Sequence, residues 1–193
     1  LKTWSKRLAD VRSLLASAGD DEQRRRTLFV RIAPVTEPDV RMLLRWRYPQ
    51  LPWMLSDDAA DPLLDERDVA WLLRPEYYYH AVWSQQGVMT GYCCYGADAR
   101  INGGAYADNA LDVGVGMHPE LVGRGFGTTL LETVLAFANW HFRPERFRAT
   151  INCANERSLR LFHSAGFQQV ERFVRKGSAL REEFVVVKRA VKQ

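Results

Sequence analysis

The sequence predicts an α/β domain built on a mixed, mostly antiparallel sheet with helices on both faces. Three observations predict it. Strand-like and helix-like runs follow one another as β-α-α-β-β-β-α-β-α-β-β, with no internal repeat or low-complexity segment. The segment "ALDVGVGM" (110–117) alternates strictly, so Leu111, Val113, Val115 and Met117 share one strand face and Asp112, Gly114 and Gly116 the other. It feeds "HPELVGRGFGTTLLETVLAFA" (118–138), which places three glycines in five positions and then runs into an apolar helical pattern.

The elements follow in order. Residues 1–26 read as an N-terminal helical arm, with Trp4, Leu8, Val11 and Leu15 at helical spacing and "GDDEQRRR" as a polar break; residues 27–193 form the domain proper. "TLFVRIA" (27–33) reads as a strand and "EPDVRMLLRWR" (37–47) as a helix with Pro38 in its first turn. Residues 48–73 begin as an aromatic, Pro-punctuated loop and continue into a helix with Asp61 as cap and Pro62 at its first position. "YYYHAVWS" (77–84) and "GVMTGYCCY" (87–95) are strands joined by a "QQG" hairpin, and "GADARINGGAYADN" is a loop. After the glycine turn and its helix come the strand "RFRATINC" (146–153) and the helix "NERSLRLFHSA" (155–165), which Gly166 closes. "FQQVERFV" and "EEFVVVKRA" read as a final antiparallel pair.

Composition narrows the function classes. A chain of 193 residues, 47% hydrophobic and 26% charged, has enough apolar material for one full core. No run approaches the roughly 20 apolar residues that cross a bilayer, and no signal-peptide core is visible, so no membrane partner is expected. Cys93, Cys94 and Cys153 have neither CxxC spacing nor a zinc-ligand set, so no metal is expected. They read as buried thiols of a reducing, cytoplasmic compartment. The net charge of +4 is mild, and "RRR" (24–26) reads as a solvated boundary, so nucleic acid is not an expected partner.

The glycine turn has the chemistry of an anion site. First-turn N–H groups of a helix lack partners within it, and the helix dipole adds partial positive charge there. Glycine lets the backbone approach an oxyanion closely. Gly123, Gly125 and Gly127 alternate with Arg124 and Phe126, and Thr128 opens the helix. A diphosphate is the natural guest. A nucleoside-triphosphate loop would need Gly-Lys-Ser/Thr, and a dinucleotide fingerprint would need GxGxxG; neither is present.

"GVGMHPELVGRGFGTTLLE" resembles the acetyl-CoA-binding segment of the GNAT N-acetyltransferases. "NERSLRLFHSAGF" (155–167) resembles their second motif, Asn-x-x-Ala-x-x-x-Tyr-x-x-x-Gly-Phe. The resemblance spans residues 27–190 in element order and 110–170 in motif detail. It implies a seven-stranded sheet whose central strands splay apart, and an acetyl-CoA cosubstrate touching Val115, Met117, Gly123, Arg124, Gly125, Phe126, Gly127, Thr128, Asn155, Ser158 and Phe162. It also implies acetyl transfer to a primary amine, on a small molecule or a peptide end, by direct attack. The backbone N–H of Met117 would polarise the thioester carbonyl; Ser158, on the helix face of Phe162 four residues before it, or a water would hydrogen-bond the sulfur. Two positions depart from the pattern: Val122 stands where Gln or Arg is usual, and Phe162 where Tyr often serves as acid. These departures favour the rival reading, an acyl-CoA-binding sensor without turnover.

An aliphatic ammonium, with a pKa of roughly 10, must lose its proton before it attacks. Asp112 is the candidate base, because its strand face otherwise carries only glycine; a water relay is the alternative, and His118 a weaker rival. His80, His141 and His163 read as structural or surface residues. Trp46, Tyr48 and Trp53 with Asp57, Asp58, Asp61, Asp65, Glu66 and Asp68 suggest an acidic, aromatic mouth for a cationic acceptor. A second copy of the chain is a candidate partner.

Overall fold

The computed structural model describes residues 11–16, 20–48, 66–177 and 181–191. Seven strands form one sheet in the order β1-β2-β3-β4-β5-β7-β6. They are β1 (Arg31–Pro34), β2 (His80–Trp83), β3 (Met89–Tyr95), β4 (Leu111–Met117), β5 (Arg146–Asn152), β6 (Gln168–Val174) and β7 (Glu183–Ala190). All neighbours are antiparallel except β4 and β5.

Five helices are bounded among the described residues: α1 (Asp21–Leu28), α2 (Glu37–Leu43), α3 (Glu66–Leu72), α4 (Gly127–Phe142) and α5 (Glu156–Ser164). Helix α1 corrects the expected polar break. Asp20 caps it by accepting from the Gln23 N–H at 2.9 Å, and the helix runs on through Leu28. Strand β1 therefore starts four residues later than expected, at Arg31. The expected arm boundary at residue 26 falls inside α1. Residues 11–16 are helical, and Val11 and Leu14 are buried in the same core as α4 and β5. Trp4, Leu8, Asp61 and Pro62 lie outside the described residues.

Two cores lie on opposite sheet faces. The larger takes the odd-numbered side chains of β4 and packs Val113 with Leu130, Leu131, Val134 and Leu135 of α4 and Phe147 of β5. The smaller sets Leu43 of α2 and Trp46 against Ala81 and Met89, with Leu72 of α3 and Tyr92 beside them. Gly127 begins α4 where a Cβ would press on Leu161 of α5 at 3.3 Å, so glycine allows these helices to approach.

The parallel pair is short. Only Leu111↔Phe147 and Asp112↔Arg148 are in register, after which β4 and β5 diverge. At the second rung the side chains form a buried ion pair: Arg148 Nη2 donates to Asp112 Oδ2 at 2.7 Å and Nε to Oδ1. The two side chains are 0% and 1% exposed. Arg100 also donates to Asp112 at 2.7 Å, Arg148 reaches Asp108, and Lys188 bonds Asp108 at 2.8 Å. The connection from β3 to β4, residues 96–110, straps this face. Tyr106 packs under the Arg148 guanidinium at 4.9 Å and its hydroxyl meets Thr150 of β5 at 3.1 Å. Ala105 N–H donates to Glu171 of β6.

Removing one member of a fully buried pair leaves a charge without compensation. Arg148→Met should lower unfolding stability by about 3 kcal/mol in urea titrations, and Asp112→Leu in the same chain should restore most of it.

Candidate functional site

The divergence of β4 and β5 leaves backbone groups without a ladder. The N–H groups of Gly96 and His118 donate to Asp112 and the Thr90 carbonyl respectively, and Gly116 lies opposite Tyr92. Antiparallel alternation therefore assigns the even-numbered backbone groups of β4 to β3 and turns those of Val115 and Met117 toward β5. No β5 residue pairs with β4 beyond Asp112↔Arg148, so these groups face the gap.

The gap opens into a cleft of about 370 Å³. Its walls are Val115, Gly116 and Met117 of β4, the turn residues Gly123, Gly125, Phe126, Gly127 and Thr128, and Asn155, Ser158, Leu161 and Ser164 near or on α5. Gly123 and Gly125 have φ of +82° and +81°, and a Cβ on either would meet nothing within 4 Å. Left-handed backbone, not crowding, is what requires glycine there. The space beside the turn is open to an anion. Phe126 gives α4 no side-chain cap, and its first turn holds no acidic residue, so its first N–H groups remain available. Asn155 caps α5, accepting from the Ser158 N–H at 3.1 Å, while lining the cleft.

Several residues that the motif pattern does not mark line the cleft as well. Arg157, Arg160, Leu161 and Ser164 recur at helical spacing along one face of α5. That stripe is the sequence signal for them, and it brings Arg157 and Arg160 to a site suited to phosphates, with Arg160 also donating to Glu156 at 3.0 Å. Tyr48 and Tyr92 also line the cleft. The Tyr48 hydroxyl donates to the Met117 carbonyl at 2.9 Å and so fixes the end of β4. Burial pushes the Tyr48 phenol far above its usual range and that of Tyr92 up to about 12, so both stay protonated.

Other expected residues stand elsewhere. Arg124 is exposed and its Nε donates to the Glu120 carbonyl at 2.7 Å; it is not a wall of the cleft. Phe162 is buried against Phe167, with ring centroids 5.0 Å apart, and contributes to the core. Asp112 is held by Arg148 and Arg100 and has no exposed surface for an amine, which removes the ground for reading it as the base. Its strand face is not vacant either. Gly114 lacks a side chain because Cys94 Sγ lies over it, and Gly116 because the Tyr92 ring does. Trp53, Asp57, Asp58, Asp61 and Asp65 lie outside the described residues, and Glu66 pairs with Arg41 at 2.7 Å. Cys93 and Cys94 are buried free thiols, whereas Cys153 is half-buried.

His118 is buried against Trp46, with ring centroids 5.0 Å apart, and accepts from the Glu120 N–H through Nδ1 at 3.2 Å. Burial lowers its pKa to about 4, so it is a neutral cap of the turn before the glycines.

Comparison with known proteins fits this geometry. The sequence model of the acetyltransferase (GNAT) domain matches residues 9–168. The chain belongs to the GNAT acetyltransferase family. Solved structures share its fold at low identity. An N-acetyltransferase from Staphylococcus aureus Mu50 is 14% identical with a TM-score of 0.61, covering 84% of this chain and 98% of its own. yncA from Salmonella typhimurium, a candidate acetyltransferase solved with its cofactor acetyl-CoA, is 18% identical with a TM-score of 0.59, covering 84% and 94%. A ribosomal-protein-alanine N-acetyltransferase from Brucella melitensis is 20% identical with a TM-score of 0.61, covering 84% and 100%. None of the curated proteins compared with the chain matches it significantly in sequence. No described helix is long and apolar enough to cross a membrane.

Two outcomes are expected of the site. Tyr48→Phe should lower unfolding stability by about 1 kcal/mol in urea titrations, the worth of one lost hydrogen bond at the end of β4, with the circular dichroism spectrum unchanged. The His118 proton binds more weakly in the folded state than in the unfolded one, so acid favours unfolding. Stability should therefore fall as pH drops from 6.5 toward 4, by up to about 3 kcal/mol, and urea titrations of His118→Asn should lack this component.

Proposed function

We propose that this protein transfers the acetyl group of acetyl-CoA to a primary amine by direct attack within a ternary complex. The observation that carries the reading is the gap between β4 and β5 opening onto a glycine turn and an uncapped helix N-terminus. The walls fit the cosubstrate: a polar, donor-rich turn for the diphosphate, guanidinium groups beside it, and an apolar slot bounded by Val115, Met117 and Leu161 for the pantetheine arm. Bound there, acetyl-CoA supplies an activated thioester.

The chain's own residues do the rest. The N–H groups of Gly123 and of residues 125–128, with Arg157 and Arg160, hold and orient the phosphates. The Met117 N–H, aimed into the gap, donates to the thioester oxygen as that oxygen gains charge. Tyr48 keeps the Met117 peptide in place from its carbonyl side. Ser158 solvates the departing sulfur, a stable anion because thiols ionise near pH 8.5. With Asp112 occupied by two arginines and His118 enclosed, the amine proton leaves through a relay of water. The buried, hydroxyl-free Phe162 is the specific observation behind a second reading, a sensor that binds acetyl-CoA without turnover.

Thiol release from acetyl-CoA against a panel of primary amines separates the two, since a sensor binds the cosubstrate and releases nothing. Gly125→Val should weaken acetyl-CoA binding at least 100-fold in calorimetry, because a β-branched residue resists φ near +81° and moves the turn donors. Binding at wild-type strength would remove the turn from the site.

A further inference from the structure

A second polar and aromatic group lies outside the cleft, on the sheet face that carries Gly114 and Gly116. Asp98 sits in the short turn Ala97–Ala99 at the start of the strap. Its carboxylate accepts from the Tyr79 hydroxyl at 2.5 Å and from the Trp71 indole Nε1 at 3.0 Å. Both donors are neutral. Among the described residues no Lys, Arg or His forms an ion pair with Asp98. Of the neighbouring cations, Arg100 bonds Asp112, and Arg74 lies over the rings of Trp71 at 4.6 Å and Tyr77 at 5.9 Å without an ion pair to Asp98. Asp98 is half-buried, so its carboxylate is oriented by two bonds from neutral donors and forms no ion pair among the described residues.

Its position relates it to the cleft. Tyr79 stacks on Tyr92 with ring centroids 6.4 Å apart, and Tyr92 is a wall of the cleft. The Trp71 ring in turn lies against Tyr77, with centroids 4.8 Å apart and planes tilted by 31°. A Cβ on Gly114 would lie 3.6 Å from the Ala99 Cβ, which places the Asp98 turn over Gly114. Gly114 is three residues along β4 from Met117, or roughly 10 Å at 3.3 Å per residue.

We propose that Asp98, framed by Trp71 and Tyr79, binds a second cationic group of the acceptor, beyond the amine that takes the acetyl group. The inference rests on the acetyl-transfer reading of the cleft and names the acceptor class: a primary amine with an ammonium or guanidinium tail. A carboxylate beside aromatic faces attracts such a group through charge and through the ring quadrupoles. A simple monoamine offers Asp98 no ion partner.

The test compares octylamine with α,ω-diaminooctane, which differ only in the second ammonium. In the wild-type protein with acetyl-CoA, the KM for the diamine should be at least ten-fold lower. Asp98→Asn, which preserves shape and one acceptor oxygen, should erase that difference and leave the KM for octylamine and acetyl-CoA unchanged. Calorimetric binding of diaminooctane in the presence of coenzyme A needs no turnover and should show the same loss. Diamine binding that depends on Asp98 without thiol release would sink acetyl transfer and keep the cation site. Thiol release with equal KM for the two amines, or an equal loss on both in Asp98→Asn, would overturn the cation site and keep acetyl transfer.

Discussion

The ion pair between Asp112 and Arg148 is the interaction on which the rest of the structure depends. It occupies the last rung at which β4 and β5 are in register. Before it the two strands are one sheet; after it they part. The pair is fully enclosed, and its charges are balanced by Arg100, Asp108 and Lys188. A buried pair of this kind is costly to desolvate and contributes little net stability compared with apolar packing. Its directional bonds, however, fix where the strands stop pairing. That β5 leaves the backbone of Val115 and Met117 unpaired follows from that stopping point.

An opening inside a sheet has two mouths. On the side of α4 and α5 the gap meets helix-terminal N–H groups and two arginines, a setting for phosphate. On the other side it meets the Tyr92 ring packed over Gly116, with Cys94 over Gly114. The glycines serve opposite purposes on the two sides. In the turn Gly123 and Gly125 allow a left-handed backbone and leave space beside it. In β4 they give up their volume to the side chains of Cys94 and Tyr92, which are their cross-strand partners. This division lets one strand present bare backbone at its edge and a packed surface on its face.

The fold was legible because its signals are local. The alternation over 110–117, the glycine turn and the Asn155 cap each lie within a few residues, and the structure reproduces the elements they announce. The misreadings share a cause as well. Asp112 beside two glycines reads as a carboxylate with room around it, because Arg148, Cys94 and Tyr92 are distant in sequence. Helix α1 reads as a break because its first turn is all polar, and only the Asp20 cap announces it. Phe162 fits the motif by spacing, but the buried face of α5 takes it while Arg157, Arg160 and Ser164 turn to the cleft. Tyr48 reaches Met117 across 69 positions, a contact that no periodicity encodes.

The strap of residues 96–110 has a consequence for how the protein opens. By strand pairing alone, β1–β4 and β5–β7 are two blocks joined at two rungs, an arrangement that invites separate unfolding. The strap leaves β3 and fastens to β5 through Tyr106, to β7 through Asp108 and to β6 through Ala105. Neither block can melt without stripping the segment that buries part of the other. Amide protons in β2 and β7, far apart in the sheet, should therefore exchange through the same global event, so that the molecule behaves as one cooperative unit despite the fork at its centre.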